Sequence, residues 1–247
     1  MPRPRCVVFD LDDTLLDHRA AERAALADLH RTHAEHIGHH ALAHVQDTYH
    51  ACNAPLWRDF GAGTITSADL QRLRAERLVE ALECALAPET FTRDYLDRYA
   101  AHWRWAEGAR DAYRATASAF PVGVLTNGFS AQQRGKLARF PEIARRAAFV
   151  TISEEVGVMK PDRRLFEHVR RQAAAALAAP VEAGEMLYVG DSYHSDVVGA
   201  TGAGWRAAWI RGDAERAPEG VFCFSDWREL SDWLGLAASG TGAGAAG

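Results

Sequence analysis

Cys6-Val7-Val8-Phe9-Asp10-Leu11-Asp12-Asp13-Thr14-Leu15 is the stretch that decides the fold. Its first four residues are apolar without alternation, which reads as a strand covered on both faces, as in a parallel sheet. The strand runs into Asp10 and Asp12, two residues apart, so both carboxylates can reach one small volume beyond its end. Alone, an Asp-x-Asp at a strand end is most often a turn or a capping pair. Its meaning depends on the residues that end the other strands.

Further along the chain the same pattern returns. Val122–Leu125 runs into Thr126-Asn127-Gly128, and Phe149–Ile152 into Ser153-Glu154. Met186–Val189 runs into Gly190-Asp191, and Ala207–Ile210 and Val221–Phe224 repeat the apolar run. Helical stretches such as Arg163–Ala178 and Val197–Ala203 lie between them. Strands alternating with helices predict a doubly wound α/β core. About a hundred residues after the first strand break the rhythm and read as helices over Arg19–His36, Ala41–Cys52, Ser67–Leu86 and Arg93–Trp105. Thr66 is placed to cap the third, with Asp69 three residues on and Leu70, Leu73, Leu78, Leu82 and Leu86 on one face. The expected organisation is a core over 1–17 and 106–235, a helical cap over 18–105 at the carboxyl edge of the sheet where such folds bind ligands, and a Gly/Ala/Ser-rich flexible tail over 236–247.

In a parallel sheet the groups at the strand ends gather at one edge. There Asp10, Asp12, Asp191 and Asp196 would meet Thr126 and Lys160. Carboxylates so crowded cannot all stay ionised without a counter-charge. A hard divalent cation with oxygen ligands, Mg2+, supplies one and commonly shares its shell with a phosphate oxygen. Lys160, the Thr126 hydroxyl and free backbone N–H groups add what phosphoryl transfer needs, positioning and charge stabilisation. A carboxylate can itself be the nucleophile. Asp13 reads as a turn cap, and Asp196 as combining a helix-capping role with one behind the metal.

The bulk composition narrows the class. Hydrophobic residues make up 48% of 247, enough for a substantial core, and the net charge is −5 without a basic block, which argues against nucleic acid or anionic membrane as a partner. Cys6, Cys52, Cys84 and Cys223 lie far apart and suggest neither a zinc ribbon nor a disulfide framework. No apolar run approaches the roughly 18 residues of a membrane span. The expectation is a reduced, cytoplasmic protein, monomer or homodimer.

These motifs, in this order and spacing, resemble the haloacid dehalogenase-like hydrolase superfamily over nearly the whole chain. The resemblance implies a Rossmann-like core with a small helical cap, Mg2+ as cofactor and a small phosphorylated metabolite as substrate. By that resemblance Asp10 is the nucleophile and Asp12 the general acid and base. Thr126 and the backbone at Asn127 hold the phosphoryl oxygens, and Lys160 shields Asp10 and binds phosphate. Asp10, the backbone carbonyl of Asp12, and Asp191 ligate the metal, with Asp196 behind them. The acid at position 12 is what the superfamily's phosphatases and phosphomutases have and its dehalogenases lack. Phosphonate cleavage would need a cap lysine, and residues 18–105 contain none.

A narrower resemblance rests on Asn53–Phe60, Gly63-Thr64-Ile65, Leu70 and Arg74, on Leu125–Phe129 with Gln133 and Lys136-Leu137, and on Ile152–Pro161. It points to a bacterial branch that includes pyrimidine 5′-nucleotidases and lies near the N-acylneuraminate-9-phosphatases. Trp57, Phe60 and Arg58 become candidate substrate contacts, with packing in the cap as the plainer reading. His36, His40 and His44 have the spacing of one helix face and are weighed as a metal site against a solvated helix. A sugar-phosphate phosphomutase and a catalytically idle binding module are the alternatives to a phosphatase.

Overall fold

The computed structural model describes residues 3–236. The strands are β1 (Cys6–Phe9), β2 (Val122–Thr126), β3 (Ala147–Ile152), β4 (Met186–Gly190), β5 (Arg206–Ile210) and β6 (Phe222–Phe224). They form one sheet in the order β3-β2-β1-β4-β5-β6, and every pairing is parallel. Each residue of β1, β2 and β4 is buried, whereas the edge strands β3 and β6 are partly exposed. This is why the central strands read as unbroken apolar runs. Strand alternation sends Val7 and Phe9 to one face of the sheet, with Tyr113 and Trp227, and Cys6 and Val8 to the other, with Leu165, Phe166 and Val169. The chain leaves β1 toward β2 on one side and returns to β4 on the other. The order therefore reverses between β1 and β4, the position where open α/β sheets form a crevice beyond their carboxyl ends.

The helices are α1 (His18–Thr32), α2 (Ala34–Ile37), α3 (Leu42–Gly61), α4 (Ser67–Ala81), α5 (Pro88–Ala101), α6 (Ala109–Ala119), α7 (Ser130–Arg139), α8 (Pro141–Arg146), α9 (Ser153–Val156), α10 (Arg163–Ala176), α11 (Gly199–Gly202) and α12 (Trp227–Trp233). The chain divides into two compact units, residues 17–104 and the remainder. The first holds α1–α5 around its own core of Leu26, Leu29, Tyr49, Leu78, Phe91 and Tyr95. Phe91, Tyr95 and Tyr99 stack along α5 at 5.8 Å between successive rings. Thr66 caps α4 by accepting from the Asp69 N–H, while Asp69 accepts from the Thr66 N–H, the reciprocal box read from the sequence.

Several boundaries differ from expectation. α3 continues through Pro55 to Gly61, because burying Leu56 together with Val45 and Tyr49 outweighs the lost hydrogen bond at the proline. α4 stops at Ala81, and Leu82 and Leu86 are buried from the loop beyond it. His36, His40 and His44 do not share a helix. His36 is in α2, His40 lies in the turn after it with its ring on the Leu82 carbonyl, and His44 is in α3, so the single-face spacing weighed for a metal is broken where Gly38 ends α2. The expected helix Val197–Ala203 begins earlier, as a wide π-type turn over Tyr193–Val198 that continues into α11. All four cysteines are free thiols. Among the described residues no helix is long and apolar enough to cross a membrane. The tail expectation falls, from residue 237 on, outside the described residues.

Candidate active site

Asp10 leaves β1 with its backbone N–H donating to the Val189 carbonyl of β4, which fixes its direction at the reversal point of the sheet. It is buried. Its Oδ1 lies 2.6 Å from Lys160 Nζ, and its Oδ2 accepts a 3.3 Å bond from the Thr14 hydroxyl. Burial pushes the Asp10 carboxyl well above its ordinary value. The Lys160 charge opposes that rise, and Asp196 and Asp191 add to it. Burial also works against the charge on Lys160, but Asp10 and Asp196 outweigh it and raise its pKa.

Lys160 donates to Asp10, to Asp196 Oδ1 at 2.8 Å and to the Tyr188 hydroxyl at 2.8 Å. Those contacts occupy all three ammonium protons. Tyr188 in turn donates to the Leu125 carbonyl, so β2 and β4 both hold the lysine. The loop before the cis Lys160–Pro161 peptide is clamped to Asn127, whose side chain donates to the Lys160 carbonyl at 3.0 Å and accepts from its N–H at 2.9 Å. The Asn127 side chain thus positions Lys160, which leaves its backbone as the part available to a ligand.

Asp196 is not the cap of a helix starting at Val197. It sits inside the π-type turn, whose cap is Ser192, and its Oδ2 accepts from the Ser192 N–H at 2.9 Å. Gly190 makes the approach possible: a Cβ there would stand 2.3 Å from Asp196 Oδ2. Asp10, Asp191 and Asp196 each present a carboxylate oxygen, all within 4.8 Å of one another. Three carboxylates against one ammonium leave two negative charges, and the donors are hard oxygens, so the cluster fits a divalent cation of the magnesium type. Any of the three could offer an oxygen to it, and both Asp196 oxygens also accept hydrogen bonds, from Lys160 and from the Ser192 N–H.

Asp12, the second carboxylate of the opening stretch, is held from α7. Lys136 Nζ lies 2.6 and 2.7 Å from its two oxygens, and Gln133 Nε2 donates to Oδ2 at 2.9 Å. The same Gln133 nitrogen reaches Thr126 Oγ1 at 2.8 Å and the Asn127 carbonyl at 3.1 Å. The core thus brings Asp10, Asp12, Thr126, Asn127, Lys160, Asp191 and Asp196 to one edge of the sheet. Trp57, Arg58 and Phe60 lie on α3 of the other unit, where the Trp57 and Phe60 rings pack edge to face at 5.7 Å and Arg58 is exposed.

The haloacid dehalogenase-like hydrolase family matches residues 4–204. The chain belongs to that family. It is 31% identical to pyrimidine 5′-nucleotidase YjjG of Escherichia coli over 87% of this chain and 89% of the relative. It is 30% identical to a phosphoserine phosphatase of Thermus thermophilus over 87% and 92% of the two chains. Among solved structures, the magnesium-bound HAD-hydrolase YfnB of Bacillus subtilis superposes with a TM-score of 0.80 at 25% identity, covering 95% of this chain and all of that one.

In this haloacid dehalogenase-like hydrolase, reasoning from sequence misses three site residues as contributors to chemistry. Gln133 and Lys136 read only as marks of lineage, and Tyr188 only as part of a strand. A signal for one of them stands in the composition. Of 28 Lys and Arg residues two are lysines, Lys136 and Lys160, and both are buried. In a chain that uses arginine everywhere else, each lysine grips an aspartate of the opening motif.

Proposed function

We propose that this hydrolase is a Mg2+-dependent phosphatase that hydrolyses phosphomonoesters through an aspartyl-phosphate on Asp10, acting on a nucleoside 5′-monophosphate or a similar small phosphorylated metabolite. The observation that carries the reading is the pairing of each aspartate with its own lysine: Asp10 with Lys160, Asp12 with Lys136. Two carboxylates so close in sequence are thereby kept apart in role, one as nucleophile and one as proton carrier.

Asp10 and Asp191, with the Asp12 carbonyl, would hold the cation, which supplies charge neutralisation for the phosphoryl oxygens when bound. Lys160 opposes the burial that disfavours the Asp10 carboxylate, and aims it. An Asp10 oxygen attacks phosphorus, the bond from phosphorus to the substrate oxygen breaks, and Asp12, carrying a proton shared with Lys136, donates it to the leaving alkoxide. Asp12, now a carboxylate, takes a proton from water as the water oxygen attacks phosphorus. The bond to Asp10 breaks, releasing inorganic phosphate and restoring the nucleophile. Thr126 holds the phosphoryl oxygens together with the backbone at Asn127. Residues 17–104, as a cap, would select the leaving group, with Trp57, Phe60 and Arg58 as contacts. The nucleotide assignment is supported by the similarity to a pyrimidine 5′-nucleotidase, and the similarity to a phosphoserine phosphatase sets the breadth of the search.

A phosphate-release screen over nucleoside monophosphates, sugar phosphates and phosphoserine, with Mg2+ and with EDTA, tests both levels. Hydrolysis that needs Mg2+ and disappears in a folded Asp10→Asn variant is expected. Full activity in that variant would overturn the mechanism, and preference for a non-nucleotide would overturn only the substrate.

A further inference from the structure

On the flank of the core, α6, α7 and α8 border an open cavity of about 710 Å³ lined by Arg110, Arg114, Arg139, Arg145 and Arg146. Its size is that of a small-ligand site. Glu142 is the one carboxylate in the lining. Arg110 Nε donates to it at 3.0 Å, Arg114 donates through Nε and Nη2, and Arg146 Nε donates at 3.3 Å. Arg139 and Arg145 are exposed and make no hydrogen bond or ion pair among the described residues. Asp111 comes no nearer to Arg114 than 3.9 Å and stands outside the lining. Five guanidinium groups and one carboxylate thus line the cavity, a lining charge of 5 − 1 = +4 on a chain whose net charge is −5.

Guanidinium groups repel one another as carboxylates do, and a cluster this dense gains from an anion that bridges it. Phosphate oxygens match the planar N–H fork two at a time. Arg110, Arg114 and Arg146 meet on Glu142, while Arg139 and Arg145 make no bond to it, so an anion with consecutive phosphates can engage both sets at once. The remaining wall is aromatic: Trp105 and Phe140 line the same cavity, their rings edge to face at 6.0 Å. A partly buried indole beside a cationic cluster suits a flat heterocycle on its open side.

We infer that this cavity is a second ligand site, separate from the aspartate cluster, that binds a nucleoside triphosphate through its phosphates on the arginines and its base on Trp105. Glu142 pre-aligns Arg110, Arg114 and Arg146, and Arg139 and Arg145 supply the uncommitted charge. The site does not depend on the phosphatase reading, since none of its residues takes part in the proposed chemistry.

Calorimetric titration of the full chain with ATP, CTP, inorganic triphosphate and a short single-stranded RNA, in EDTA so that turnover is blocked, tests it. One nucleoside triphosphate per chain is expected, bound more tightly than inorganic triphosphate and not displaced by a nucleoside monophosphate. The double variant Arg139→Ala/Arg145→Ala should weaken binding by about tenfold or more while leaving Mg2+-dependent hydrolysis of p-nitrophenyl phosphate unchanged. Trp105→Phe should weaken the nucleotide and spare inorganic triphosphate. Unchanged affinity in the double variant, displacement by the monophosphate, equal affinity for inorganic triphosphate, or binding of the RNA alone would each overturn the assignment.

Discussion

Lys136 Nζ lies within 2.7 Å of both carboxylate oxygens of Asp12, so the proposed proton carrier, in the loop after β1, is held by a buried lysine of α7. An acid held this way is aimed, and aim matters most when the leaving group needs its proton. Lys136→Met should therefore slow the hydrolysis of an alkyl phosphate such as a nucleoside monophosphate by about 100-fold, within the usual range for general acid catalysis. p-Nitrophenyl phosphate, whose phenolate leaves without a proton, should be affected much less. Rate constants for the two substrates in wild type, Lys136→Met and Lys136→Arg check this, with partial rescue expected in the arginine variant. An equal loss on both substrates would reduce Lys136 to a structural residue.

Asp10 should act against stability when no cation is bound. Its folded pKa is raised by burial and by Asp196 and Asp191, so folding is favoured while its carboxyl is protonated and loses stability as pH rises from the unfolded value toward the folded one. At neutral pH in EDTA, Asp10→Asn should raise the thermal midpoint. Mg2+ at about 100 times its dissociation constant should stabilise the wild type by about 2.7 kcal/mol and the variant far less. Thermal melts with and without Mg2+ give the comparison, and an equal Mg2+ effect in both proteins would remove Asp10 from the metal site.

Gly190→Ala is expected to disrupt the site from behind. Its new Cβ would stand 2.3 Å from Asp196 Oδ2 and push the carboxylate off both Lys160 and the Ser192 N–H. The stability cost should be about 1–3 kcal/mol, the range for overpacking a filled core, with loss of most Mg2+-dependent activity. Urea unfolding and a Mg2+ titration of activity measure the two effects. A fully active Gly190→Ala protein would show that Asp196 is dispensable.

Glu142 carries a pH signature at the arginine cavity. The Arg114 hydrogen bond, with Arg110 adding to it, holds its carboxyl down at about 2 from 4.5. A lowered carboxyl contributes stability that is fully present above the unfolded value and is lost as pH falls through the folded one. Its share should therefore disappear between about pH 4.5 and pH 2, less so in high salt because the partner arginines are largely exposed. Stability of wild type and Glu142→Gln should converge at the acid end of that window. A constant difference across it would mean that packing, not charge, sets the effect of Glu142.

The fold was legible because its strongest determinants are local. The runs Cys6–Phe9, Val122–Thr126 and Met186–Gly190 are apolar on both faces, and only a covered parallel sheet accommodates such strands. The Thr66–Asp69 box is likewise a contact between residues three apart. Boundaries failed where burial overrode local preference, as at Pro55, which α3 accommodates to keep Leu56 in the core. His36, His40 and His44 do not form a set because Gly38, legible in the sequence, interrupts the helix between them.

By itself the sequence determined the strand ends, and with them the arrival of Asp10, Asp12, Thr126, Lys160 and Asp191 at one sheet edge, since parallel strands all point the same way. The tertiary structure alone decided the partners. That Lys136 rather than Lys160 holds Asp12, that Tyr188 shares the Lys160 ammonium, and that three arginines meet on Glu142 depend on side chains as far as 124 residues apart along the chain meeting at distances of a few ångströms. A hydrogen bond is decided over tenths of an ångström, by the packing of helices against the sheet, and no pattern along a single chain carries that length scale.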